Sequence, residues 1–147
     1  MDPHSPEFQA YGRILEDHLA LKKLMQQIDD ALASHTATVA AVSDLLARLG
    51  DNLVKHFALE EEGGYFAEAL LRSPQLLAKA NDLLTQHPKM CTLARDLVDI
   101  SPVQDNERWW QETRQRFQAF KAELLKHERN EDQLLQEAYT QDLGSHD

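Results

Sequence analysis

Two short stretches carry residue types that can do chemistry together. His56-Phe57-Ala58-Leu59-Glu60 sits mid-chain, and His127-Glu128-Arg129-Asn130-Glu131 lies near the far end. Each sets a histidine and a glutamate four residues apart. On a helix that is just over one turn, so both side chains leave the same face. A neutral imidazole and a carboxylate aimed at one point are two metal ligands. A single such pair is also an ordinary contact on a solvated helix, so its meaning rests on the surrounding elements.

Those elements read as helices throughout. From about Phe8 to Ser34, Ile14, His18, Leu21, Met25, Ile28 and Leu32 step by threes and fours, the spacing of one helix face. Leu15, Leu19 and Leu24 widen that stripe. Ser34-His35-Thr36 breaks it and offers capping hydroxyls to a second helix beginning near Ala37. The second stripe is Val42, Leu46, Leu49, Leu53, His56, Glu60. Gly63-Gly64 weakens that helix, and Tyr65 to Leu71 continues it for two turns. Ser73 is expected to cap a third helix with Pro74 at its first position. Its stripe is Leu76, Ala80, Leu83, His87, Met90 or Cys91, Ala94, Leu97, and Pro88 predicts a kink beside His87. A fourth helix spans about Asn106 to Tyr139, with the stripe Trp109, Thr113, Phe117, Phe120, Leu124, His127, Glu131, Leu134, Ala138.

The fold class is therefore all-α, an antiparallel up-down-up-down four-helix bundle over residues 8–140. Residues 1–7 and 141–147 read as flexible tails holding His4 and His146. Trp109, Trp110, Phe117 and Phe120 are core bulk. Glu61 and Glu62 fall off the apolar face and read as solvated, with Glu61 also able to support a ligand from outside.

Each predicted helix interrupts its apolar face with a polar residue. The six are His18, His56, Glu60, His87, His127 and Glu131. The order is a histidine, then His-x-x-x-Glu, given twice, with the two histidines of each half 38 and 40 positions apart. That is the pattern of a duplicated helical hairpin. Counting along the helices at about 1.5 Å per residue puts the first three histidines at similar heights. The fourth helix must overhang by about two turns, or begin as loop. Burying two carboxylates and four imidazoles without partners costs several kcal/mol. Either they satisfy one another in a hydrogen-bonded cluster, or they hold metal. Four imidazoles and two carboxylates exceed one tetrahedral zinc site and lack the all-oxygen character of calcium or magnesium sites. They suit two octahedral-preferring ions with the glutamates bridging. A di-iron centre is the leading expectation, with di-manganese or a mixed pair behind it.

Taken in that order on four helices, with HFALEEE in one half and LLKHERNEDQLL in the other, these residues resemble the hemerythrin-like family in its duplicated HHE cation-binding form. The resemblance implies a non-haem di-iron centre, oxo- or hydroxo-bridged, with Glu60 and Glu131 bridging and His18, His56, His87 and His127 as terminal ligands. It implies a protein that binds or senses dioxygen or another diatomic or peroxide ligand. The alternatives are an oxidoreductase acting on nitric oxide or peroxide, and an iron-handling or interaction module with a structural metal. Classical oxygen carriers have a second histidine one turn after the third-helix histidine, where this chain has Cys91. They also end in a wider His and Asp spacing, so reversible oxygen carriage is the less expected variant. Cys91 itself reads as a small buried hydrophobe.

Composition narrows the classes further. In 147 residues the formal net charge is −10, which repels nucleic acid and anionic membrane surfaces. No apolar run approaches the roughly 20 residues of a membrane span. One cysteine allows no intrachain disulfide, and Met1-Asp2-Pro3-His4 resembles no signal peptide, so a cytoplasmic location is expected.

Overall fold

A computed structural model describes residues 6–34, 37–62, 65–98 and 107–144. The helices are α1 (Pro6–Ser34), α2 (Val39–Glu62), α3 (Tyr65–Arg72), α4 (Leu77–Val98) and α5 (Glu107–Gly144), with a 3-10 turn at Pro74–Leu76. Among the described residues there is no strand. The bundle is all-α, as the stripes predict. The predicted second helix is two pieces, α2 and α3; Gly63 and Gly64 between them lie outside the described residues, as do His4, His35, His146 and the connection 99–106. Helix also reaches into residues 6–7 and 141–144, which the sequence reading assigns to tails.

Pairings across the helices give their directions. Asp17 and His18 of α1 meet His56 and Glu60 of α2. His18 also meets Glu128 of α5, while Asp29 one end further along α1 takes Gln118 and Lys121. Lys79 and Gln86 of α4 pair with Glu137 and His127 of α5. In the second and third sets one number rises as the other falls, so α5 runs antiparallel to both α1 and α4. The ring of neighbours runs α1, α2, α4, α5 and back to α1.

The apolar stripes are buried nearly as expected, and they form two separate clusters. One gathers residues from Leu21 to Phe57 and from Met90 to Leu124, including Trp109 and Trp110. The other gathers Phe66, Leu76, Ala80, Leu83, Leu134, Leu135 and Ala138. The polar residues Glu60, His87, His127 and Glu131 are buried in the chain intervals between them, and His56 is buried next to Phe57 at the edge of the first. α5 starts at Glu107 and overhangs, and its first turns earn their place by burying both tryptophans.

Three local expectations are corrected. Leu15 and Leu19 are 41% and 61% exposed, so the stripe of α1 is narrower than its eight apolar positions implied. The hydroxyl that caps α2 is Thr38 Oγ1, accepting from the Ala41 amide at 3.0 Å, while Ser34 Oγ turns back to the Asp30 carbonyl. Ser73 makes no side-chain cap; its buried hydroxyl donates to the Ala138 carbonyl at 3.0 Å and ties the α3–α4 turn to α5. α4 runs through Pro88 as one helix.

Candidate metal centre

The six polar interruptions converge. On α2, four-residue spacing brings His56 Nε2 to 2.6 Å from Glu60 Oε1. On α5 the same spacing brings His127 Nε2 to 2.5 Å from Glu131 Oε1. α1 adds His18, whose Nε2 is 3.5 Å from Glu60 Oε1. α4 adds His87, whose Nε2 lies 3.3 Å from Glu60 Oε2 and 3.1 Å from Glu131 Oε1. Both carboxylates are essentially inaccessible to solvent, at 0% and 1% exposure.

One member of this cluster was missed by periodicity. Glu128 Oε1 is 3.0 Å from His56 Nε2, and Glu128 Oε2 is 2.8 Å from His18 Nε2. It follows His127 directly and so falls off the stripe that picks out Glu131. A signal existed, because residue 128 is four after Leu124 and seven before Leu135, both buried.

The donor atoms divide into two groups. His18, His56, Glu60, Glu128 and Glu131 offer atoms within 4.8 Å of one another, and so do Glu60, His87, His127 and Glu131. Glu60 and Glu131 belong to both groups. Each group is a set of imidazole and carboxylate donors able to hold a metal ion.

The outer nitrogens are held as metal-bound imidazoles require. His56 Nδ1 is 2.5 Å from Asp17 Oδ2, His87 Nδ1 is 2.9 Å from Glu61 Oε1, and His127 Nδ1 is 2.8 Å from Gln86 Oε1. Glu61 is thus half-exposed yet bonded to a ligand candidate, while Glu62 is solvated. Asp17, Glu61 and Gln86 each neighbour a converging residue in sequence, and each reaches the histidine of the next helix around the ring. Phe57 was also missed: its ring stacks on His87 at 3.8 Å and meets His127 edge-on at 5.6 Å, closing that side with hydrocarbon.

Electrostatics sharpen the point. Burial pushes the His56 imidazole down, but hydrogen bonds to Glu128 and Glu60 outweigh it and raise its pKa to about 11. The same opposition leaves His18 at about 9, against Glu128 and Glu60, and His87 at about 10, against Glu131, Glu60 and Glu61. Burial pushes Glu128 up, yet His18 and His56 bring it down to about 2; Glu60 is likewise held far below the carboxylate range by three histidines. Glu131 goes the other way, raised by burial and by Glu60 beside it. An imidazole with both nitrogens facing acceptors must carry two protons, or one proton and a cation at Nε2. Glu60 Oε2, Glu128 Oε2 and His127 Nε2 are buried without an aligned hydrogen bond, although each sits within 2.5–3.3 Å of a neighbour in the cluster. Lone pairs aimed at shared space are what a cation satisfies, so the residues fit the metals that the donor set implies.

Of the remaining candidates, Cys91 is half-buried one turn after His87, with its thiol pushed up by burial. The side chains of Ile14 and Tyr65 lie outside the described residues. Among the described residues no helix is long and apolar enough to cross a membrane.

Comparison with known proteins gives the same assignment. No curated protein and no solved structure matches the chain. The family model for the hemerythrin HHE cation binding domain matches residues 9–97, which include His18, His56, Glu60 and His87; His127 and Glu131 follow on α5. With the matched span covering most of the chain and the α5 donors closing the same cluster, the protein belongs to the hemerythrin HHE cation-binding family and is a metal-binding helical protein.

Proposed function

We propose that the protein is a non-haem di-iron protein that binds or senses dioxygen or a related small ligand inside its bundle. The observation that carries this reading is the pair of donor groups sharing Glu60 and Glu131. His18, His56 and Glu128 would complete one position, and His87 and His127 the other. Bound iron would supply a redox-active centre able to take up a small ligand. The chain's own part is to hold that centre rigid, dry and correctly protonated. Asp17, Glu61 and Gln86 accept from Nδ1 and so leave Nε2 free of its proton for the metal. Phe57 and the two apolar clusters exclude water. The imidazole and carboxylate mix favours iron over calcium or magnesium, and di-manganese is the competing occupant. The cytoplasm is the expected compartment.

The test is to reduce the iron-loaded protein and titrate it with dioxygen, following the charge-transfer absorption of the centre. Saturation near one dioxygen per chain, without continued consumption, is expected of a binding or sensing protein. Continued turnover with peroxide or nitric oxide would favour the oxidoreductase instead. A spectrum indifferent to every ligand would leave the metal a structural role.

A further inference from the structure

The two donor groups are unequal in charge. Both contain Glu60 and Glu131, but the group with His18 and His56 has a third carboxylate in Glu128. The group with His87 and His127 has no carboxylate of its own. The outer nitrogens repeat the inequality. His56 Nδ1 faces Asp17 Oδ2 at 2.5 Å, and that carboxylate is only 29% exposed. His87 Nδ1 faces Glu61 Oε1 at 2.9 Å, where 47% exposure lets water screen the charge better. His127 Nδ1 faces Gln86 Oε1 at 2.8 Å, and an amide carries no charge. Space does not dictate that amide. Gln86 is half-buried and borders two hollows between α4 and α5, of about 290 and 160 Å³. Lys89, Lys126 and Glu123 line the smaller one, so a carboxylate at position 86 would find water and two cations near it. The chain still places a neutral acceptor behind His127, where His56 and His87 have charged ones. An imidazole backed by a carboxylate is a more basic metal ligand than one backed by an amide. Negative charge near an iron favours its ferric state over its ferrous state by simple attraction.

We propose that the two metal positions are unequal in redox, and that Gln86 is a positioning residue that keeps the ion at His87 and His127 the more easily reduced. This rests on the di-iron reading above and adds which position takes the first electron. A one-electron donor outside the chain supplies that electron. The ion at His87 and His127 passes from ferric to ferrous, and the ion at His18, His56 and Glu128 stays ferric. No bond to a protein ligand forms or breaks, no proton moves, and Gln86 keeps accepting from His127 Nδ1.

The test is stepwise reduction of iron-loaded protein by dithionite under potential control at neutral pH. Electron paramagnetic resonance follows the mixed-valent state between the two steps. Gln86→Glu should lower the first potential by about 59 mV or more, a tenfold shift of that equilibrium, and change the second less. Asp17→Asn removes charge from the other position and should raise the second potential more than the first. Gln133→Glu is the control: it adds the same charge in the larger hollow, where residue 133 has no hydrogen bond to a histidine among the described residues. It should shift neither step comparably. All variants are compared at equal iron content. A parent that takes both electrons in one step would overturn the inequality. A Gln86→Glu shift confined to the second step would overturn the assignment of the first electron. No shift there, or an equal one in Gln133→Glu, would overturn the role of Gln86. If Gln86→Glu fails to hold iron, Asp17→Asn decides, and a larger rise in the first step than in the second would overturn the assignment. A parent with fewer than two irons per chain would bring down the di-iron reading itself, and this inference with it, whatever its potentials.

Discussion

Asp17 carries the clearest residue-scale consequence. Its carboxylate meets the outer nitrogen of His56, and that contact fixes which nitrogen faces the centre. Asp17→Ala should weaken metal affinity by roughly 10- to 100-fold. Glu62→Ala, on a solvated neighbour, should leave affinity unchanged. Competition with a chelator of known affinity measures both, and equal affinities in the two variants would contradict the ascribed role. Protonation gives a second consequence. In chelator-stripped protein, His18, His56 and His87 have pKa values raised from 6.5 to about 9, 11 and 10. Their contribution to stability is full below pH 6.5 and is lost as pH rises through those values. Glu128, lowered from 4.5 to about 2, contributes above pH 4.5 and ceases to as pH falls toward 2. Urea unfolding of stripped protein should therefore show stability declining from about pH 6.5 to 10, and metal loading should release protons over that range. A flat or rising profile there would contradict the network. The six converging residues were legible in sequence because a charged or imidazole group on an apolar stripe is costly unless something holds it. Glu128, Asp17 and Gln86 were not, because each lies one residue off its stripe and acts across to another helix.

At the scale of elements, the stripes of three and four residues predicted every long helix and nearly all of the core. Their limits show where local chemistry has several solutions. Hydroxyls at positions 34, 36 and 38 all suit a cap, and Thr38 takes it. Ser73 has the right type for a cap, but the Ala138 carbonyl competes for its hydroxyl, and only tertiary structure reveals that. Leu15 and Leu19 look like core on a helical wheel, yet the ring of helices leaves their side of α1 facing solvent. Leu49 and Leu19 make the contrast measurable. Leu49 is 0% exposed in the larger cluster, so Leu49→Ala should cost about 2–5 kcal/mol. Leu19, 61% exposed, should lose no more than about 0.5 kcal/mol on the same change. Denaturant unfolding of the two variants checks this, and comparable losses would mean that α1 is packed along another face.

At the scale of the whole molecule, the core is two apolar clusters with a buried belt of imidazoles and carboxylates in the chain intervals between them and at the edge of the larger. Metal held by that belt would join all four long helices through their own side chains, so metal and fold should be coupled. Chelation should lower the melting temperature by about 10 °C or more, given that ligand at a thousandfold excess over Kd adds about 4 kcal/mol. Calorimetry before and after stripping tests the coupling, and an unchanged transition would mean that the belt satisfies itself by hydrogen bonds.

The most direct measurement is iron and manganese per chain in protein made in metal-replete medium, read by elemental analysis alongside Glu60→Ala. Two shared carboxylates predict close to two irons per chain, and Glu60→Ala should lose at least about half of the bound metal because one residue serves both positions. Full loading in that variant, or no metal in a parent protein that is stably helical, would contradict the paired centre.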